Sequence, residues 1–297
     1  MRATGWVTDT ADDGITFEEG TPEKRALSQV QVILEGTAEK NLVDRHGPWR
    51  LLNHIVLGDL FHAMDVVLLR RVGVTHVLNL SPQTVKTSKS HYAASRLPVE
   101  YKAVWAEDSM DYDILRDLRE CHSFLDRGRK SGGIVLVHCH AGVNRSVSVL
   151  ISYLMVTLQR SLAEVVQYVY EIRGIILTNS KFVEQLVLFA SFNDLLQSPD
   201  RRESSKRKPG RPVYRDSQGR IIPMDESEEE EETHKLIAAS GLLVDVESPV
   251  YPVTGSSIDS VDETEFNDEM EGNTVTATDR DSTDGNLIAA SGLLADL

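Results

Sequence analysis

Residues 134–158 constrain the chain more tightly than any other stretch. Ile134, Val135, Leu136 and Val137 form an unbroken apolar run behind Gly132 and Gly133, the pattern of a central strand buried on both faces. From Ser146 to Leu158 the sequence is apolar almost all round, with Val147, Val149, Leu150, Ile151, Leu154, Met155 and Val156, which predicts a largely buried helix. Only a short loop, His138 to Arg145, joins the two. A strand that passes so directly into a buried helix is an α/β unit, and such units place ligands at the carboxyl end of the strand.

The loop reads His138-Cys139-His140-Ala141-Gly142-Val143-Asn144-Arg145, followed by Ser146. A cysteine six positions before an arginine is weak evidence alone; its place between strand and helix gives it weight. Ala141 and Gly142 let the backbone curl so that successive N–H groups converge, and a nest of that kind opening into a helix N-terminus binds a phosphate dianion. The same field favours a thiolate at Cys139, which makes it a nucleophile. Arg145 can fold back and hold two phosphate oxygens with its planar fork, a geometry lysine lacks. Ser146 is placed to donate a hydrogen bond to the sulfur. Residues 140–145 (His140, Ala141, Gly142, Val143, Asn144, Arg145) are therefore the expected phosphate-binding loop. The plain alternative, Cys139 as a small buried hydrophobe, carries less weight given these neighbours.

Elsewhere the chain alternates strand and helix patterns. Residues 1 to about 45 are polar, with an amphipathic helix over Pro22–Leu42 that turns Ala26, Leu27, Val30, Ile33 and Leu34 to one side. Leu51–Leu57 reads as a strand or strand pair, Leu60–Arg71 as a helix, Val74–Leu80 as a strand, and Ser81–Ser95 as a polar loop. Val99–Trp105 is a further strand, followed by a helix carrying Ile114, Leu115, Leu118, Cys121 and Leu125. Ser161 and Glu164 form a capping box for another helix, Gly174 ends it, and Asn179 caps the last. The fold class is α/β, a central, mostly parallel sheet flanked by helices, with a disordered C-terminal tail.

The chemistry still lacks an acid to protonate the leaving oxygen. Glu107, Asp108, Asp111 and Asp113 cluster after the third strand, and position alone does not choose among them. Here a resemblance enters. His138–Ser146 resembles the signature loop of the dual-specificity phosphatases, HC-x-x-G-x-x-R-S, and Tyr101–Ser109 (YKAVWAEDS) is similar to the family's strand and general-acid segment, in which Asp108 is the matching aspartate. Val56–Leu60, Gly73–Leu80 and Arg173–Leu186 are also similar, so the likeness covers about residues 47–197. It implies a protein tyrosine phosphatase-like fold of dual-specificity type and an atypical, small member without the docking domain of the kinase-phosphatase subgroup. It also implies activity on phosphotyrosine and phosphoserine or phosphothreonine in proteins, a protein kinase among the candidate substrates, and no cofactor. Catalytic roles fall to Cys139, Arg145, Asp108 and Ser146. Where family members carry Arg-Pro and then Pro-Asn, this chain has Arg173-Gly174 and Thr178-Asn179, positions that shape the floor around the pocket.

Two rival functions remain. One is a phosphate-binding adaptor, which would not need the nucleophile. The other is a phosphatase of a phosphoinositide, phosphoglucan or RNA 5′-phosphate, for which the loop lacks lysines at His140 and Val143. Two alternating histidines, His138 and His140, without further partners at ligand spacing make a poor metal site, so no metal is expected. Cys121, on the apolar side of its helix, is read as core before it is read as a resolving thiol.

Charge separates the ends of the chain. Residues 213–297 hold 4 basic and 21 acidic residues, a net −17 against −15 for the whole chain, so the first 212 residues sit near +2. Two cysteines are too few for a disulfide framework, and neither a membrane span nor a signal peptide is present; cytoplasm or nucleus is the expected location. Residues 1–46 read as an N-terminal extension, 47–197 as the catalytic domain and 198–297 as the disordered tail. The tail carries a basic cluster at 201–212, ranked as an import signal first, linker charge second and a DNA contact third through its AT-hook-like residues 206–212. An acidic run occupies 228–232, and LIAASGLL stands at both 236–243 and 287–294, read either as a pair that docks one partner with avidity or as a recent duplication without a role.

Overall fold

The computed structural model describes residues 6–8, 15–35, 47–197 and 211–223. Two small elements precede the main sheet: strands β1 (Trp6–Thr8) and β2 (Ile15–Phe17) pair antiparallel, and helix α1 (Pro22–Glu35) follows. α1 buries Ala26 and Val30, with Leu27, Ile33 and Leu34 half-buried beside them. Its apolar side is the one the sequence pattern marks, while the expected continuation to Leu42 lies outside the described residues.

The main sheet has five strands in the order β3-β4-β7-β5-β6, made of β3 (Trp49–Leu52), β4 (Ile55–Gly58), β5 (Val74–Asn79), β6 (Glu100–Ala103) and β7 (Ile134–His138). The β3–β4 pairing is antiparallel, and the β4–β7, β7–β5 and β5–β6 pairings are parallel. The sheet is thus mixed but mostly parallel, as expected, and β7 lies at its centre with Val135, Leu136 and Val137 wholly buried. An unbroken apolar strand belongs there because both of its faces are covered by helices. The parallel order also brings the carboxyl ends of β4, β5, β6 and β7 to one edge.

The covering helices are α2 (Leu60–Met64), α3 (Val66–Val72), α4 (Lys89–Ala94), α5 (Leu115–Lys130), α6 (Arg145–Leu158), α7 (Leu162–Arg173) and α8 (Ser180–Phe192). Every residue of α6 from Arg145 to Met155 is buried, which accounts for its all-round apolar sequence. α7 starts at the expected capping box, Ser161 N donating to Glu164 Oε2 at 2.8 Å, and Asn179 caps α8 through Lys181 N at 3.1 Å.

Three local expectations are corrected. The single helix over Leu60–Arg71 is broken at Asp65, whose carboxylate accepts Leu68 N at 2.9 Å and so starts a second helix. The loop Ser81–Ser95 contains α4, capped by Ser88 and anchored by buried Tyr92, whose hydroxyl donates to Ala63 O at 2.9 Å. Finally, part of the segment read as disordered tail has a defined structure. Residues 211–223 form a strap along α5 and α8, turning through Asp216–Gly219 with a bridge between Arg215 and Ile221. Val213 pairs with Asn193 at 2.7 and 3.1 Å, and Arg119 donates to Ile222 O at 2.7 Å. Val213, Tyr214, Ile221 and Ile222 supply an apolar content that averaging over the whole tail conceals. The acidic run, both LIAASGLL copies and nearly all of the basic cluster lie outside the described residues.

Candidate active site

β7 ends at His138, and the loop that follows closes on itself before α6 begins at Arg145. Gly142 takes φ +62°, and a Cβ there would stand 2.6 Å from Gly58 O, so only glycine lets the loop lie against the end of β4. The loop's carbonyls are turned outward and engaged. His140 O accepts Leu60 N at 2.9 Å, Val143 O accepts Leu177 N at 2.9 Å, and Ala141 O and Gly142 O accept the Arg173 guanidinium at 3.1 and 3.2 Å. That guanidinium also stacks on Trp49, 4.0 Å from the ring centroid. Carbonyls held on the outside leave the amide hydrogens for the concave side, which is what an anion nest requires.

Cys139 is 1 % exposed, and Ser146 Oγ lies 3.2 Å from its sulfur, within reach to donate to it. Beside it His138 is wholly buried, its Nδ1 3.3 Å from Cys139 O. Burial pushes His138 down to about 4, so the ring is neutral at physiological pH and acts as a donor to that carbonyl. His140, by contrast, is exposed.

Arg145 is buried, with Nη1 donating to Ala106 O at 3.2 Å. Its Nε lies 3.6 Å from Asp108 Oδ2, an ion-pair distance beyond hydrogen-bond reach, and has no hydrogen-bond partner among the described residues. A buried guanidinium nitrogen with an uncommitted N–H is costly without a ligand. Asp108 is held from three directions: Asn144 Nδ2 donates to both carboxylate oxygens at 3.1 and 3.2 Å, Asn179 Nδ2 donates to Oδ1 at 3.2 Å, and Arg145 faces Oδ2. Thr178 Oγ1 in turn bonds Asn144 at 3.1 and 3.2 Å. Of the four acids that follow the third strand, Asp108 is the one brought against Arg145. Asp113 instead accepts Leu115 N at the start of α5 and meets the strap, and Glu107 lines the adjoining cleft.

That cleft, about 470 Å³, is bordered by Gln83, Thr84, Trp105, Ser109 and Arg145 as well as Glu107 and Asp108. Asn79 at the end of β5 holds the loop that carries Gln83 and Thr84, donating to Val85 O at 2.9 Å and accepting Ser81 N at 2.8 Å. Cys121 sits in the core of α5, wholly buried, and burial raises its thiol well above the ordinary range.

The dual specificity phosphatase catalytic domain matches residues 55–192. The chain therefore carries a dual specificity phosphatase catalytic domain over those residues. It is 33% identical over 177 residues to dual specificity protein phosphatase 5 of Rattus norvegicus, covering 60% of this chain and 44% of that protein. To dual specificity protein phosphatase 1-A of Xenopus laevis it is 34% identical over 163 residues, 52% of this chain and 42% of that one. The chain therefore spans less than half the length of these relatives. Among solved structures, the crystal structure of DUSP15 is 26% identical, covering 50% of this chain and 90% of that one, at a TM-score of 0.44.

The sequence alone did not show what Arg173, Thr178 and Asn179 do. Asn179 was legible as a helix cap and Gly174 and Thr178 as departures from the family pattern, but the partners at the site, Ala141, Asn144 and Asp108, lie more than thirty positions away.

Proposed function

We propose that the domain hydrolyses phosphotyrosine and phosphoserine or phosphothreonine esters in proteins through a phosphocysteine intermediate. The observation that carries this reading is the buried Nε of Arg145, without a hydrogen-bond partner among the described residues, between the Cys139 loop and the Asp108 carboxylate. In the first step the Cys139 thiolate attacks phosphorus, the P–O bond breaks, and Asp108 gives its proton to the leaving oxygen. Arg145 and the loop amides hold the charge that spreads over the phosphoryl oxygens. In the second step water attacks the phosphocysteine, Asp108 takes the proton, and Ser146 stabilises the departing thiolate. Among the described residues that line the cleft Arg145 supplies the positive charge, beside Glu107 and exposed Trp105. One cation suits a single phosphate on a peptide better than a headgroup with several. A soluble phosphoprotein of cytoplasm or nucleus is the corresponding partner.

The test is turnover of an aryl phosphate and of phosphotyrosyl and phosphothreonyl peptides. Cys139→Ser is expected to abolish it. Asp108→Ala is expected to slow it by about 10²-fold or more while retaining phosphopeptide binding, so that it traps substrates. Wild-type rates in either variant would end the proposal.

A further inference from the structure

The strap, residues 211–223, touches the acid-bearing loop. Asp108 sits in a segment, Val104 to Asp113, that is pinned at its downstream end. Tyr112 Oη donates to Asp117 Oδ2 at 2.7 Å, which fixes that end to α5, and Trp105 O stands 3.4 Å from the same hydroxyl. From α8, Gln185 donates to Tyr112 O and accepts Ile114 N, both at 2.8 Å. The strap adds a further anchor: Ser217 donates from both N and Oγ to Asp113 Oδ2, each at 2.9 Å, while Oδ1 of the same carboxylate accepts Leu115 N at the start of α5.

Ser217 is held in turn by a firm attachment. The hydroxyl of Tyr214 lies 2.9 Å from Nδ1 of His122, whose Nε2 lies 2.8 Å from Ser152 Oγ on α6. Ser152 Oγ spends its own proton on Val149 O at 2.8 Å, so His122 must donate from Nε2 and accept at Nδ1, and Tyr214 is the donor. The Tyr214 ring packs edge-on to His122 and against Phe189, with the Arg119 guanidinium 5.4 Å from its centroid. An aromatic residue with its hydroxyl bonded to a buried imidazole makes a specific anchor.

We propose that the strap is a positioning element of the active site: Tyr214 docks it, and Ser217, through Asp113, holds the acid segment so that Asp108 stays against Arg145. This rests on the reading of Asp108 as general acid. Loss of the strap then impairs proton delivery more than nucleophilic attack, so the damage depends on the leaving group.

The experiment uses the full chain and a Tyr214→Ala/Ser217→Ala double variant. The kcat/KM is measured on phenyl phosphate, whose leaving group needs a proton, and on pentafluorophenyl phosphate, whose leaving group does not. Hydrogen exchange is followed at residues 104–113. The expected result is a fall of about tenfold on phenyl phosphate, a fraction of the general-acid contribution, with less than about twofold change on the fluorinated ester, and faster exchange in the segment. Equal losses on both esters, or unchanged exchange at 104–113, would reduce the strap to a structural patch and overturn the proposal. If the wild type turns over neither ester, the phosphatase reading fails, and the exchange arm alone still decides whether the strap holds the segment.

Discussion

Arg173 acts on the phosphate loop from behind. Its two hydrogen bonds to Ala141 O and Gly142 O need a planar fork, and its stacking on Trp49 needs a flat cation. Arg173→Lys can supply neither, so the loop carbonyls lose their outward hold and the amides their convergence. Competitive inhibition by orthovanadate, which reads the loop without requiring Asp108, is expected to weaken by about tenfold; unchanged inhibition would show that the loop keeps its shape unaided. Gly142→Ala is the sharper case. The new Cβ would meet backbone, Gly58 O at 2.6 Å, rather than a side chain that can swing away. A loss of about 1–3 kcal/mol in urea unfolding is expected. The contrast explains what the sequence could reveal at this scale. Cys139, Arg145 and Ser146 are legible because their relation is local, seven positions between a strand and a helix. The holders of Asp108 are not, because Asn144 and Asn179 reach it across 36 and 71 positions, and no local spacing encodes that.

At the scale of elements, α5 and β7 carry buried and half-buried titratable groups with opposite linkage to pH. Burial lowers His122 on α5 to about 3 and His138 on β7 to about 4. Between those values and the ordinary 6.5 the unfolded chain takes up protons that the folded one refuses, so stability is lost as pH falls from about 6.5. Asp117 on α5 runs the other way. Burial first, then Glu120 and Asp113, raise it to about 6 against the pull of the Tyr112 hydrogen bond. It therefore holds a proton in the folded state that the unfolded chain releases, and its contribution is lost as pH rises through about 6. Two histidines outweigh one carboxyl, so stability should climb between pH 4.5 and 6, on the order of 1–2 kcal/mol per pH unit. Asp117→Asn removes the opposing group while leaving an acceptor for Tyr112, and urea unfolding across that range should then show a steeper climb. A flatter one would mean that the carboxyl is not raised. The helix itself was legible from its apolar period, Ile114 to Leu125. The half-buried acid in its first turn was not, since Asp117 reads in sequence as an ordinary first-turn carboxylate.

Across the molecule, two flanking segments, α1 and the strap, pack against the span 47–197. α1 packs on α7 and α8, with Val30 wholly buried and Glu23 Oε1 accepting from Ser191 Oγ at 2.6 Å. The strap meets the same end of α8 two residues further on, where Asn193 pairs with Val213. Both additions hold the last turn of one helix, so they should not act independently. Removing residues 1–46 uncovers Val30's site, worth about 2 kcal/mol in apolar burial alone, and frees the α8 terminus on which the strap is fixed. Removing everything beyond 210 frees it from the other side. Urea unfolding of fragments 1–223, 47–223, 1–210 and 47–210 closes a thermodynamic cycle. Each single truncation should already loosen the shared end, so the double truncation is expected to cost less than the two single losses added together, by about 0.5 kcal/mol or more. Strict additivity would place the two flanking segments on independent surfaces and leave α8 as a rigid wall between them.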